Sequence, residues 1–186
     1  MKQILFFGDS LTAGYGLDWP EQEAVPALIR QRIDAEGLSY RTINAGVSGD
    51  TTVSGLKRLS YWLSGPVNVF VLELGVNDLL RGISPTVTSD NLRAIIAQVR
   101  KAWPDVKIAL MGMSLPKELL FGRAAGFHQL YDRIATADKD VAYVPFYLYG
   151  VAGQRHLNLR DGLHPNAAGY QKIAEHIWPT LRPLLI

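Results

Sequence analysis

Cysteine is absent from the 186 residues, which removes a thiol nucleophile, a thiolate zinc site, iron–sulfur ligation and any disulfide at once. Long apolar runs are missing too. No stretch approaches the roughly 18 residues that cross a bilayer, and the N-terminus lacks a basic region followed by an apolar core and a small-residue cleavage site. No integral membrane segment is therefore expected, and the chain reads as cytoplasmic as written. A trimmed export signal behind a new methionine leaves the same letters.

Charge of one sign is also scarce. Nineteen lysines and arginines stand against 17 acids, a net of +2, and the basic residues are scattered, so no phosphate-tracking face is written and nucleic acid is not an expected partner. G-x-G-x-x-G fails, because Gly14-Tyr15-Gly16 runs into Leu17-Asp18-Trp19. There is no G-x-x-x-x-G-K-[ST], no H-E-x-x-H and no close histidine cluster. Chemistry without a cofactor or a metal is the economical expectation.

What is present is globular. Hydrophobic residues make up 48% and charged residues 19%, and the length, near the rough 150-residue prior, predicts one domain over 1–186. Short, nearly all-apolar runs at 3–7, 41–45, 67–74, 107–113 and 141–145 read as strands buried on both faces. Between them lie one-sided helical patterns: Val25, Leu28, Ile29 and Ile33 ending near Gly37, and Leu92, Ile95, Ile96, Val99 and Trp103 ending before Pro104. Further helices are expected over 52–63, 121–137 and 165–184, the last opening with Pro165 in its first turn. This alternation predicts an α/β fold, a parallel sheet with helices on both faces and a ligand site at the carboxyl ends of the strands.

Four polar signals fall at such ends. After the first strand comes Gly8-Asp9-Ser10-Leu11-Thr12, where a serine at the opening of a helical turn suits a nucleophile, because outward N–H groups favour an oxyanion. Asp9 or Ser10 as a plain helix cap is the alternative. After the second comes Asn44-Ala45-Gly46-Val47-Ser48-Gly49-Asp50-Thr51, in which Gly46 lets a backbone N–H approach a ligand, or simply turns the chain. The third strand leads to Gly75-Val76-Asn77-Asp78, where an amide donates without carrying charge, or forms an Asx turn. Asp161-Gly162-Leu163-His164 lets a turn bring a carboxylate to Nδ1 and leaves Nε2 free as a base, or caps the following helix. His128, His156 and His176 lack an acid at this spacing and read as surface or packing residues.

Taken together, these four blocks resemble those of the SGNH hydrolases, also called the GDSL esterase and lipase family, over nearly the whole chain. The resemblance implies a three-layer α/β/α sandwich on a five-stranded parallel, flavodoxin-like sheet. It implies Ser10 as nucleophile, His164 as base, Asp161 as its orienting acid, and the Ser10 N–H, the Gly46 N–H and the Asn77 amide as the oxyanion hole. Asn44 to Thr52 and Met113-Ser114-Leu115-Pro116 are most similar to the small bacterial arylesterase, acyl-CoA thioesterase and lysophospholipase group. A G-x-S-x-G elbow is absent, which disfavours an α/β-hydrolase.

The expected partner is a small-molecule ester, of short to medium acyl or aryl type, with thioesters and lysophospholipids included. Asp9, Leu11 and Leu163 stand beside the expected site, and Leu115, Leu119, Leu120, Phe121, Phe146, Tyr147, Leu148, Tyr149 and Val151 form an apolar rim for the acyl group, or pack under loops. The tyrosines and Trp19 equally permit a carbohydrate ester. A silent ester-binding module and a transacylase on the same triad remain the other classes.

Overall fold

The opening segment Lys2–Gly8 forms β1, whose residues from Ile4 to Gly8 are all buried. Residues 1–113 and 124–186 are described in this computed structural model. Among them five strands make one sheet in the order β2-β1-β3-β4-β5, with β2 Tyr40–Gly46, β3 Val69–Glu73, β4 Lys107–Met111 and β5 Val141–Val144. Every pairing is parallel, which agrees with the expected flavodoxin-like order.

Successive side chains of a strand point to opposite faces, so β1 supplies two cores. Ile4 and Phe6 join Val69 and Val71 under α3 (Val25–Ala35) and α8 (Ala167–Leu181). Leu5 and Phe7 join Phe70 and Leu72 under α6 (Pro85–Ala102) and α7 (Ala124–Ala137). α6 places Leu92, Ile95, Ile96 and Val99 on one buried stripe, is capped by Ser84 and carries Pro85 in its first turn. This is the three-layer sandwich. No helix among the described residues is long and apolar enough to cross a membrane.

The chain leaves β1 toward β2 on one side and returns past it to β3 on the other, so the connections diverge at the carboxyl ends of β1 and β3. Three short helices that the apolar pattern does not announce cluster around that crevice: α1 Ser10–Ala13, α2 Pro20–Glu23 and α5 Val76–Leu80. The helix expected over 52–63 divides into α4 Thr52–Arg58 and a 3₁₀ turn Leu59–Trp62. Pro165 is not in the first turn of α8. It forms a bridge with Asn158, and Asn166 caps the helix by accepting from Gly169 N–H.

Candidate active site

β1 is buried to its end, and the chain must turn sharply beyond Gly8. Asp9 makes that turn as the cap of α1, its Oδ1 accepting from Leu11 N–H at 2.9 Å. Ser10 is thereby the first helical residue, with one of the first-turn N–H groups that has no partner inside a helix. Its Oγ lies 3.0 Å from His164 Nε2, and Asp161 Oδ2 lies 2.7 Å from His164 Nδ1. The turn 161–164 folds on the other Asp161 oxygen, which accepts from Leu163 N–H and His164 N–H at 2.9 and 3.0 Å. These backbone bonds, the imidazole bond with them, hold the Asp161 carboxyl down at about 2. An ionised Asp161 keeps the ring proton on Nδ1 and leaves Nε2 as the acceptor for the serine hydroxyl. Tyr15, bonded through its N–H to Ser10 O, lays its ring 4.5 Å from the His164 ring.

The facing wall comes from two loops. Gly75 caps α5 at φ +127°, a conformation favouring glycine, because Leu74 must present its carbonyl to Tyr131 Oη at 2.8 Å while the chain turns back. Asn77 then reaches into the crevice with both Nδ2 hydrogens engaged, on Asp9 Oδ2 at 2.9 Å and Asp50 O at 3.0 Å. Behind it, buried Asp78 accepts from Thr52 N–H at 2.8 Å and Thr88 Oγ1 at 3.1 Å. The second loop is pinned at Asp50, which accepts from Ser54 and from Arg58 Nε; that guanidinium also donates to Gly8 O at 3.0 Å and lies 4.0 Å over the Phe7 ring. Arg81 Nη2 donates to Gly49 O at 2.7 Å.

These elements enclose a cavity of about 180 Å³ lined by Ser10, Leu11, Tyr15, Ser48, Gly49, Val76, Asn77, Leu148, Leu163 and His164. Ser10, Asn77, Asp161 and His164 are thus brought together as the motif spacing predicts, and Leu11, Leu148 and Leu163 reach the cavity. Gly46 does not. Its N–H donates to Asn44 Oδ1 at 3.0 Å and its α-carbon packs on the backbone of Thr12 and Ala13, on the far side of α1. Gly49 takes its place at the cavity, at φ +79° and with its N–H bonded to no acceptor among the described residues. Two glycines in one loop look alike in the sequence. The signal was the Ser48-Gly49-Asp50 turn directly before the capping Thr51.

Asp9, expected beside the substrate, does not line the cavity either. It is fully buried, serves the α1 cap and Asn77, and cannot line a substrate pocket; burial pushes its carboxyl up to about 6. Phe146 lines a smaller adjoining cavity of about 30 Å³, which shares Leu11, Val76 and Leu148 with the first. Tyr147 is buried and lines the same smaller cavity, whereas Val151 is buried in the core and exposed Tyr149 packs its ring on His176, away from both cavities. Leu115, Leu119, Leu120 and Phe121 lie outside the described residues.

Known proteins share this chain's sequence pattern and fold. The sequence pattern of the GDSL-like Lipase/Acylhydrolase family matches residues 6–172. The chain is 38% identical to Esterase TesA of Pseudomonas aeruginosa over 99% of its own length and 90% of that protein's. It is 35% identical to Thioesterase 1/protease 1/lysophospholipase L1 of Escherichia coli, covering 98% of this chain and 84% of that one. The crystal structure of TesA superposes with a TM-score of 0.89 at 38% identity, covering 99% and 100% of the two chains. The chain belongs to the GDSL-like lipase/acylhydrolase family.

Proposed function

We propose that this ester-hydrolysing enzyme works through an acyl-enzyme on Ser10. The carrying observation is the unbroken line from Asp161 through His164 to Ser10 Oγ, at 2.7 and 3.0 Å, opening on a cavity. Ser10 Oγ attacks the carbonyl carbon while His164 Nε2 takes its proton, and the imidazolium so formed is stabilised by Asp161. The carbonyl oxygen gains the charge and settles between the Ser10 N–H, the Gly49 N–H and Asn77 Nδ2, sharing the amide hydrogen now on Asp50 O. His164 returns its proton to the leaving oxygen or sulfur. Water then repeats the sequence and frees the acid.

The cavity limits the substrate. At about 180 Å³ it is smaller than the roughly 300–1,000 Å³ that enclose a drug-sized ligand, and Leu11, Val76, Leu148 and Leu163 make much of its wall apolar. A short to medium acyl or aryl group fits it, with the leaving group outside. The names of the relatives, an esterase and a thioesterase that is also a lysophospholipase, support oxygen and sulfur esters alike. Rates on p-nitrophenyl acetate, butyrate, octanoate and palmitate, for the wild type and Ser10→Ala, test this. Turnover is expected to peak below palmitate and to vanish in the variant. Equal rates in both proteins would remove Ser10 from the mechanism.

A further inference from the structure

Glu73, the last residue of β3, takes no part in the acyl transfer, yet its carboxyl is buried beneath the nucleophile turn at 6% exposure. Both hydrogen bonds it accepts fall on Oε2, from Asp9 N–H at 3.2 Å and from Thr12 Oγ1 at 2.8 Å. Asp9 precedes Ser10 and Thr12 lies two residues beyond it, so a single oxygen holds the chain on both sides of the nucleophile. Gly8 provides the space, since a Cβ there would strike Thr12 Oγ1 and the Glu73 carboxyl. Resting on the assignment of Ser10 as nucleophile, we propose that Glu73 is a positioning residue, whose buried oxygen fixes the turn from which Ser10 Oγ meets His164.

Its surroundings decide its charge. Among the described residues no lysine, arginine or histidine forms an ion pair with Glu73. Burial, and then the neighbouring Asp9 carboxyl, push Glu73 well above the ordinary carboxylate range. Asp9, whose N–H the Glu73 carboxyl accepts, in turn accepts from Asn77, so the Glu73 carboxyl supports that wall of the site as well as the nucleophile. The other titratable groups facing it, Tyr131, Tyr147 and Tyr170, are phenols pushed up by burial first and by Glu73 next, and they supply no countercharge. A folded-state affinity for the proton above the unfolded one stabilises in acid. That stabilisation is lost as pH rises past the ordinary value of 4.5.

Glu73→Gln keeps an acceptor for Asp9 and Thr12 and offers an N–H to Asp9. Its kcat at pH 7 is expected within about threefold of wild type, and its melting temperature is expected to exceed wild type by a gap that widens from pH 5 to 9. Glu73→Leu is expected to lower kcat by about 10- to 100-fold with KM little changed. Thr12→Val, which removes one of the two bonds, lowers it less, and carries the comparison where Glu73→Leu does not fold. Equal losses in the Gln and Leu variants, a melting gap that closes with pH, or full kcat in both Glu73→Leu and Thr12→Val would each overturn the proposal. Ser10→Ala assayed in parallel keeps the two apart: if it retains activity, the nucleophile is misassigned, whatever the Glu73 series shows.

Discussion

Gly75→Ala tests how the Asn77 wall is built. At φ +127° an L-residue carries roughly 1–3 kcal/mol of backbone strain. The added methyl also falls on Tyr131 Oη, which must leave its 2.8 Å bond to Leu74 O and strand a buried carbonyl, for about 1–3 kcal/mol more. The total, about 2–6 kcal/mol, is a large part of the roughly 5–15 kcal/mol that holds a domain together. Tyr131→Phe alone loses only the hydrogen bond. Placed in that background, Gly75→Ala meets no hydroxyl and retains only its strain, so the pair should couple by about 1–3 kcal/mol in a double-mutant cycle read from urea melts. Because Gly75 caps the helix bearing Asn77, the folded fraction should lose kcat more than KM. A single-variant change under about 0.5 kcal/mol, or strict additivity, would refute the reasoning.

Asn77→Ala removes one of the proposed oxyanion donors and should lower kcat by about 10²–10³ with KM nearly unchanged, in steady-state kinetics on a short acyl ester. Asp161 stays ionised down to about pH 2, so its own titration should leave the rate between about pH 5 and 9 unmarked. Asp161→Asn should lower kcat by about 10⁴ across that range. Asp9→Asn should leave the shape of the pH–rate profile unchanged, which checks the other carboxyl, pushed up to about 6 by burial, for a share in it. Tyr15→Leu withdraws the ring that faces the imidazolium at 4.5 Å, and about 0.5–1 kcal/mol of cation–π stabilisation corresponds to a two- to fivefold lower kcat. Tyr15→Phe should restore it.

The inner strands were legible because a parallel sheet covered on both faces demands near-continuous apolar runs, and 3–7, 67–74 and 107–113 coincide with β1, β3 and β4 within two residues; β2 is an edge strand with only Tyr40 and Ala45 buried, so 41–45 marks its place but is not buried on both faces as expected. Ser10, Asp161 and His164 were legible for a related reason: each polar residue stands where a strand or a helix boundary leaves it exposed to the crevice. The oxyanion wall was less so. Gly46 N–H is taken by Asn44 two residues before it, while the Gly49 turn is held by Arg81, 32 residues on, and through Asp50 by Arg58, partners that the spacing of the loop does not announce. Asp9 and Glu73 misled or escaped notice because burial of a carboxylate is a tertiary fact. The four-residue helices α1 and α2 are too short to show a period.

The bond between Ser10 and His164 closes a span of 154 residues. The first four strands, the nucleophile turn and the Asn77 loop lie in the first two thirds of the chain, whereas His164 rides on an irregular stretch between β5 and α8. The turn bearing Asp161 is exposed and its bonds are mostly local. The pairing of Ser10 with His164 therefore reports the seating of this late stretch as well as formation of the core. On warming, this stretch can detach while the sheet remains intact, so loss of turnover should precede loss of circular dichroism, and brief cooling should restore it.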